Sequence, residues 1–70
     1  MIKFNKTEIN KQKIPSGTGV FILSDDDRIL YVNKTTNLNR SIHQLFKVAK
    51  DDKNIFQLIS QTKKIEFEEH

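Results

Sequence analysis

PSGTGVFILSDDDRILYVNKTTNLNRSIHQLF, residues 15–46, holds the two densest apolar runs of the chain, Val20-Phe21-Ile22-Leu23 and Ile29-Leu30-Tyr31-Val32. The polar segment Ser24-Asp25-Asp26-Asp27-Arg28 between them is too short for a crossover, so the pair forms an antiparallel hairpin. The first run is continuous and β-favouring, the pattern of a central strand buried on both faces. Three adjacent aspartates do not make a hard-cation loop, which spaces its ligands at alternate positions and needs a glycine at its sharp bend. They fit a turn. Ser16-Gly17-Thr18-Gly19 is a loop with two glycines free to take positive φ. It lacks the further Gly or Gly-Lys-Ser/Thr of a phosphate loop and opens a strand rather than a helix.

Beyond the hairpin the period changes. Asn37 is a helix N-cap candidate. Leu38, Ile42, Leu45, Phe46 and Ala49 recur at helical spacing and form one apolar stripe. Arg40, His43, Lys47 and Lys50 form a second stripe on another face. A helix with one packed face and one cationic face suits contact with backbone phosphates. His43 alone is more economically a surface residue than a ligand or an acid–base group. Asp51-Asp52 ends this helix and caps a second, whose buried face is Ile55, Leu58 and Ile59 with Phe56 beside them, up to about Gln61. Lys64-Ile65-Glu66-Phe67-Glu68 alternates as a half-buried edge strand with Ile65 and Phe67 inward.

Upstream, Ile2 and Phe4 alternate with Lys3 as in an edge strand, and Thr7–Lys11 allows a turn of helix. Pro15 ends any helix and extends Ile14. Residues 1–14 are therefore a basic lead-in, and residues 15–70 are one domain. The expected fold class is α+β, a small three-stranded antiparallel sheet in the order β-β-α-α-β with helices packed on it.

Composition sets the outer limits. A 70-residue chain buries only about 60% of its unfolded surface. With no cysteine it has neither a disulfide nor a cysteine-based zinc site. No apolar run approaches the ~18 residues of a membrane span, and MIKFNKTEINK lacks a signal-peptide core. A cytoplasmic location and no membrane contact are expected. The net charge is +3, with acid-free positive charge over residues 34–50, a weak pointer to a polyanionic partner.

Pro15 through Gly19-Val20-Phe21, then Leu30-Tyr31-Val32-Asn33-Lys34, Asn37-Leu38 and Phe46 resemble a GIY-YIG nuclease domain. Within that superfamily the pattern is that of the N-terminal domain of the excision-repair nuclease subunit UvrC. It runs P-x-x-x-G-V-Y, a hairpin turn, L-Y-V-G-K-A-x-N-L, then an Arg on the helix and an aromatic one turn later. The likeness runs without gaps over about thirty residues. It implies a three-stranded sheet with helices and phosphodiester hydrolysis with Mg²⁺. It also implies a Tyr on each hairpin strand, a helix Arg at the scissile phosphate, and a metal-binding Glu on a later helix.

Carried over by position, the chain departs from that set. The first tyrosine falls on Phe21, which has no hydroxyl. The second is Tyr31. The glycine of the second motif falls on Asn33, which tolerates left-handed backbone, and the following lysine is Lys34. The helix arginine falls on Ser41. Arg40 is adjacent, but one helical step turns a side chain by about 100°. Glu66, Glu68 and Glu69 do not match the metal-binding Glu, and the family's later helix lies beyond the chain. Each missing group costs about 10²–10⁴ in rate.

Three functions follow from the resemblance. The leading one is a degenerate domain, inactive alone and without a cofactor, that binds DNA or a partner through Lys34, Arg40, His43, Lys47 and Lys50. A second is an Mg²⁺-dependent endonuclease or a piece of one, in which Arg40 stands in for the lost arginine and another segment supplies the Glu. The third is a protein-interaction or homodimerisation module.

Overall fold

The structure, a computed structural model, describes residues 1–70. In chain order they form β1 (Ile2–Asn5), a 3₁₀ turn (Lys6–Glu8), β2 (Gly19–Ser24), β3 (Ile29–Thr35), α1 (Leu38–Val48), α2 (Lys53–Gln61) and β4 (Lys64–Glu69). The four strands make one sheet in the order β1-β4-β2-β3, with every pair antiparallel. The expected three-stranded β-β-α-α-β sheet is thus corrected to four strands, with a strand before the hairpin. β1 pairs Ile2 with Phe67 and Phe4 with Ile65. Its partner lies some sixty residues away, so local periodicity carries no trace of the pairing.

That addition moves β4 from the sheet edge to its interior, between β1 and β2. Ile65 and Phe67 do point inward and are buried. They join Phe4, Ile14, Phe21, Leu23, Leu38 and Ile42 in one core, with Phe4 and Phe67 edge to face at 6.3 Å. Residues 1–14 therefore contribute two core side chains, Phe4 and Ile14. They are also tied down by polar contacts. The Lys6 amide donates to Lys63 O at 2.9 Å, and the Lys6 ammonium donates to Ile59 O at 2.9 Å. Ile59 O, which also accepts from the Thr62 N–H at 3.2 Å, lies in the last turn of α2, where a cation meets the negative end of the helix dipole.

Both helices lie on one side of the sheet. Strand alternation and register place Phe21, Leu23, Tyr31 and Asn33 on the helix side. Val20, Ile22, Val32 and Lys34 lie on the other side with Lys3, Glu66 and Glu68. Burial of β2 on both faces is corrected accordingly. Phe21 and Leu23 are fully buried, Val20 and Ile22 only half-buried, and Val32 is 54% exposed. The continuous apolar run supplies a core face and a second face covered by cross-strand neighbours alone.

The turns use different chemistry from that expected at the glycines. Neither glycine has positive φ. Gly19 is required for close approach, because a Cβ there would collide with the Glu68 carbonyl oxygen and with Leu38 Cδ1. In the hairpin turn, Asp25 Oδ1 accepts from the backbone N–H of Asp27 at 2.9 Å and of Arg28 at 2.7 Å. Those two amides, with the Arg28 guanidinium, hold the Asp25 carboxyl below its ordinary pKa. Asp26 pairs with Lys63 at 2.8 Å and raises the pKa of that ammonium. This is an aspartate-anchored turn.

Candidate nucleic-acid interface

Helix α1 begins where every early donor has a partner. Asn37 caps it, its side chain accepting from the Arg40 N–H at 2.9 Å. The Leu38 and Asn39 amides donate to Gly17 O and Pro15 O, each at 3.0 Å. The Asn39 side-chain amide reaches Ile14 O at 3.1 Å. The loop before the hairpin thus seals the positive end of the helix, leaving no free amide there for an anion.

Along the helix, Leu38 and Ile42 are fully buried and Ala49 nearly so, while Leu45 and Phe46 pack half-buried against the core. At 100° per residue, Arg40, His43, Lys47 and Lys50 fall on the opposite side. Arg40, Lys47 and Lys50 are exposed and His43 is half-buried. None of the four enters an ion pair or donates a side-chain hydrogen bond within the chain, although five ion pairs form elsewhere. Helix α1 contains no acidic residue. Arg40, His43 and Lys47 therefore line one face of α1, and Lys50, in the turn just past its end at Val48, extends the row to about 15 Å with no ion pair within the chain.

The flank of α1 facing β3 is different. Phe21 is fully buried, its ring 6.0 Å from that of Tyr31 at 43°. Tyr31 is half-buried. Asn33 pairs with Phe21 in the extended ladder, so its left-handed tolerance is not used. The Ser41 hydroxyl is hydrogen-bonded to the Thr35 hydroxyl. Thr35 Oγ1 also accepts from the Asn37 amide at 3.1 Å. Phe21, Tyr31 and Asn33 thus share the helix side of the sheet, while Ser41 is bonded to the C-terminal residue of β3. Arg40 does not join them. It stands on the outward face, as its helical angle requires.

Lys34 belongs to neither group. Its pairing with Val20 puts it on the open face of the sheet, where it lines a shallow polar hollow with Thr18, Thr35 and Thr36. No three carboxylate, imidazole or thiol groups converge as a metal site, and Glu66 and Glu68 lie on the face away from Tyr31.

The structure also exposes a residue that apolar patterning assigns to packing. The buried face expected of α2 is only half-buried at Ile55, Leu58 and Ile59, and Phe56, grouped with them in sequence, is 61% exposed. Its angle is a partial signal, about 100° from Ile55 and about 160° from Leu58 but only about 60° from Ile59. No helix is long and apolar enough to cross a membrane.

Over 60 residues, 86% of the chain, the sequence is 27% identical to the UvrABC system protein C of Fusobacterium nucleatum subsp. nucleatum. The match covers 10% of that protein, so the chain spans about a tenth of its length. No family model matches, and no solved structure gives a significant match. The likeness, weak in identity but spanning most of the chain, is that of a distant relative of UvrC.

Proposed function

We propose that this chain is a UvrC-like domain of the GIY-YIG type that binds the phosphate backbone of DNA through the outward face of α1 and does not cut DNA by itself. The observation that carries this reading is the row Arg40, His43, Lys47 and Lys50, unpaired on one helix face. Cations left without internal partners gain from releasing the counterions condensed on a nucleic acid. The contacts address phosphates, so they position the domain without reading sequence.

The non-cleaving half rests on the other flank. A buried phenyl at Phe21 offers no proton acceptor, and the Ser41 hydroxyl is engaged by Thr35. A guanidinium held at Arg40 points away from Tyr31. No group of three carboxylate or imidazole side chains gathers at this flank.

Fluorescence anisotropy with a labelled duplex, titrated across a salt series, tests binding. Three or four phosphate contacts give a slope of log K against log salt of roughly −3 to −4. Absence of binding at low salt, or a flat slope, removes the reading. Incubation of supercoiled plasmid with the chain and Mg²⁺ or Mn²⁺ should leave it intact. Nicking would instead favour an endonuclease using Arg40.

A further inference from the structure

Phe56 is the second most exposed of the large apolar side chains, after Ile29. A lone exposed apolar residue is ordinary, so its position is what matters. It lines a shallow hollow at the α1–α2 turn together with Ala49, Lys50, Asp51, Asp52 and Lys53. Lys50 is also the last cation of the α1 row, so hollow and row are continuous.

We propose that this hollow takes one unpaired nucleobase, stacked on the Phe56 ring, while the backbone on that base's side runs along Arg40, His43, Lys47 and Lys50. The proposal rests on the phosphate-binding reading of α1 and names the substrate class as single-stranded or gapped DNA.

Charge separates the two parts of the surface. On α1, Arg40, His43 and Lys47 have no acid on their helix. In the hollow, Lys50, where the row ends, and Lys53 are matched in number by Asp51 and Asp52. The Asp52 carboxylate is further committed as the α2 cap, accepting from the Asn54 and Ile55 amides at 2.9 and 3.1 Å. A phosphate gains little from such a neutral lining. The face of a base suits it, because Phe56 and Ala49 offer an apolar wall and the flanking polar groups can meet its edge. Base–aromatic stacking tolerates any sequence, since every base has a π-face. A duplex keeps those faces inside its own stack, and exposing one requires unstacking. Preference for unpaired strands follows.

The test uses the absence of tryptophan from the chain. In Phe56→Trp the indole is the sole tryptophan reporter and sits at the proposed contact. A short oligothymidine should quench it, while a duplex of equal length should leave it nearly unchanged. Phe56→Ala should weaken oligothymidine binding about fivefold to a hundredfold, the range for one stacked base. Duplex affinity and its salt slope should stay as in the unaltered chain. The exposed position keeps both variants folded, which circular dichroism checks.

If Phe56→Ala binds oligothymidine as well as the unaltered chain while duplex binding persists, stacking is wrong and the α1 row stands. An indole signal in Phe56→Trp that follows protein concentration rather than added DNA also overturns it, in favour of contact between copies. If the unaltered chain binds neither form at low salt, the phosphate row itself has failed.

Discussion

The two flanks of helix α1 differ in what their polar groups are bonded to. On the flank toward β3, Ser41, Thr35 and Asn37 form a closed set of hydrogen bonds above the buried Phe21. On the outward flank, Arg40, His43, Lys47 and Lys50 have no partner in the chain. A site that works on a substrate keeps groups unsatisfied until the substrate arrives. Here Phe21 and Ser41 are committed to the fold, and the unpaired groups lie on the opposite side. The comparison teaches that the residues carrying the family resemblance and those left free for a ligand stand on different faces of one helix.

The largest effect separates the faces by stability. Ile42→Ala, on the buried side, should cost about 2–5 kcal/mol. That is much of what so small a domain has. Lys47→Ala, further along the helix and facing solvent, should stay within about 0.5 kcal/mol. Urea denaturation of both variants measures the contrast. A large loss at Lys47 would mean that the outward face supports the fold and is not held for a ligand.

Next comes DNA affinity. Arg40→Glu with Lys47→Glu should lower duplex affinity by at least about tenfold at low salt and make the salt slope shallower by roughly 2. Folding should hold, since an acid at position 40 gains from the helix dipole in the first turn and roughly offsets the loss from an acid at position 47 in the last turn; circular dichroism checks it. Lys34→Glu, on the open sheet face, should change affinity much less. If Lys34 matters as much as Arg40, the DNA wraps the β3 edge and the assignment to one helix face fails.

These contrasts also show which parts of the molecule are legible in its sequence. The hairpin, the Asn37 and Asp52 caps, the inward Ile65 and Phe67, and the cationic face of α1 depend on neighbours within a few residues. Periodicity and capping chemistry therefore find them. The alternation at Ile2 and Phe4 marks an edge strand, but its partner, and with it the interior place of β4, depends on a pairing that spans nearly the whole chain. The open second face of β2 depends on both helices packing on one side of the sheet, which a continuous apolar run does not encode. Lys34 falls with the α1 cations in sequence, but strand alternation sends it to the other side of the sheet. Phe56 reads as core because it is aromatic beside apolar neighbours. Its helical angle, toward the margin of the Ile55–Leu58–Ile59 face, is only a partial guide, and the one glycine that is required, Gly19, serves close contact rather than φ.

Phe21→Tyr probes the β3 flank directly. It adds the hydroxyl that the GIY-YIG pattern places on the first strand. The ring is fully buried, so the added group would enter a packed core without an assigned partner. A loss of about 1–3 kcal/mol is expected, measured by thermal or urea unfolding, with no nicking activity gained. A neutral substitution would mean that water or a polar group reaches this position. This flank would then be open enough to act as a site.

The smallest effect belongs to Ser41. Removing its hydroxyl in Ser41→Ala deletes one hydrogen bond, but Thr35 Oγ1 keeps the Asn37 amide at 3.1 Å and stays near Asn37 O at 3.2 Å. No buried donor or acceptor is orphaned. The loss should therefore sit at the low end for a hydrogen bond, about 0.5 kcal/mol, and DNA affinity should not move. The informative quantity is which of the two measurements changes. A small stability loss with constant affinity makes Ser41 part of the scaffold, as its bond to Thr35 implies. Constant stability with weakened DNA binding would put the ligand on the β3 flank of α1, at the position where the family keeps its arginine. The outward row would then be an ordinary solvated surface.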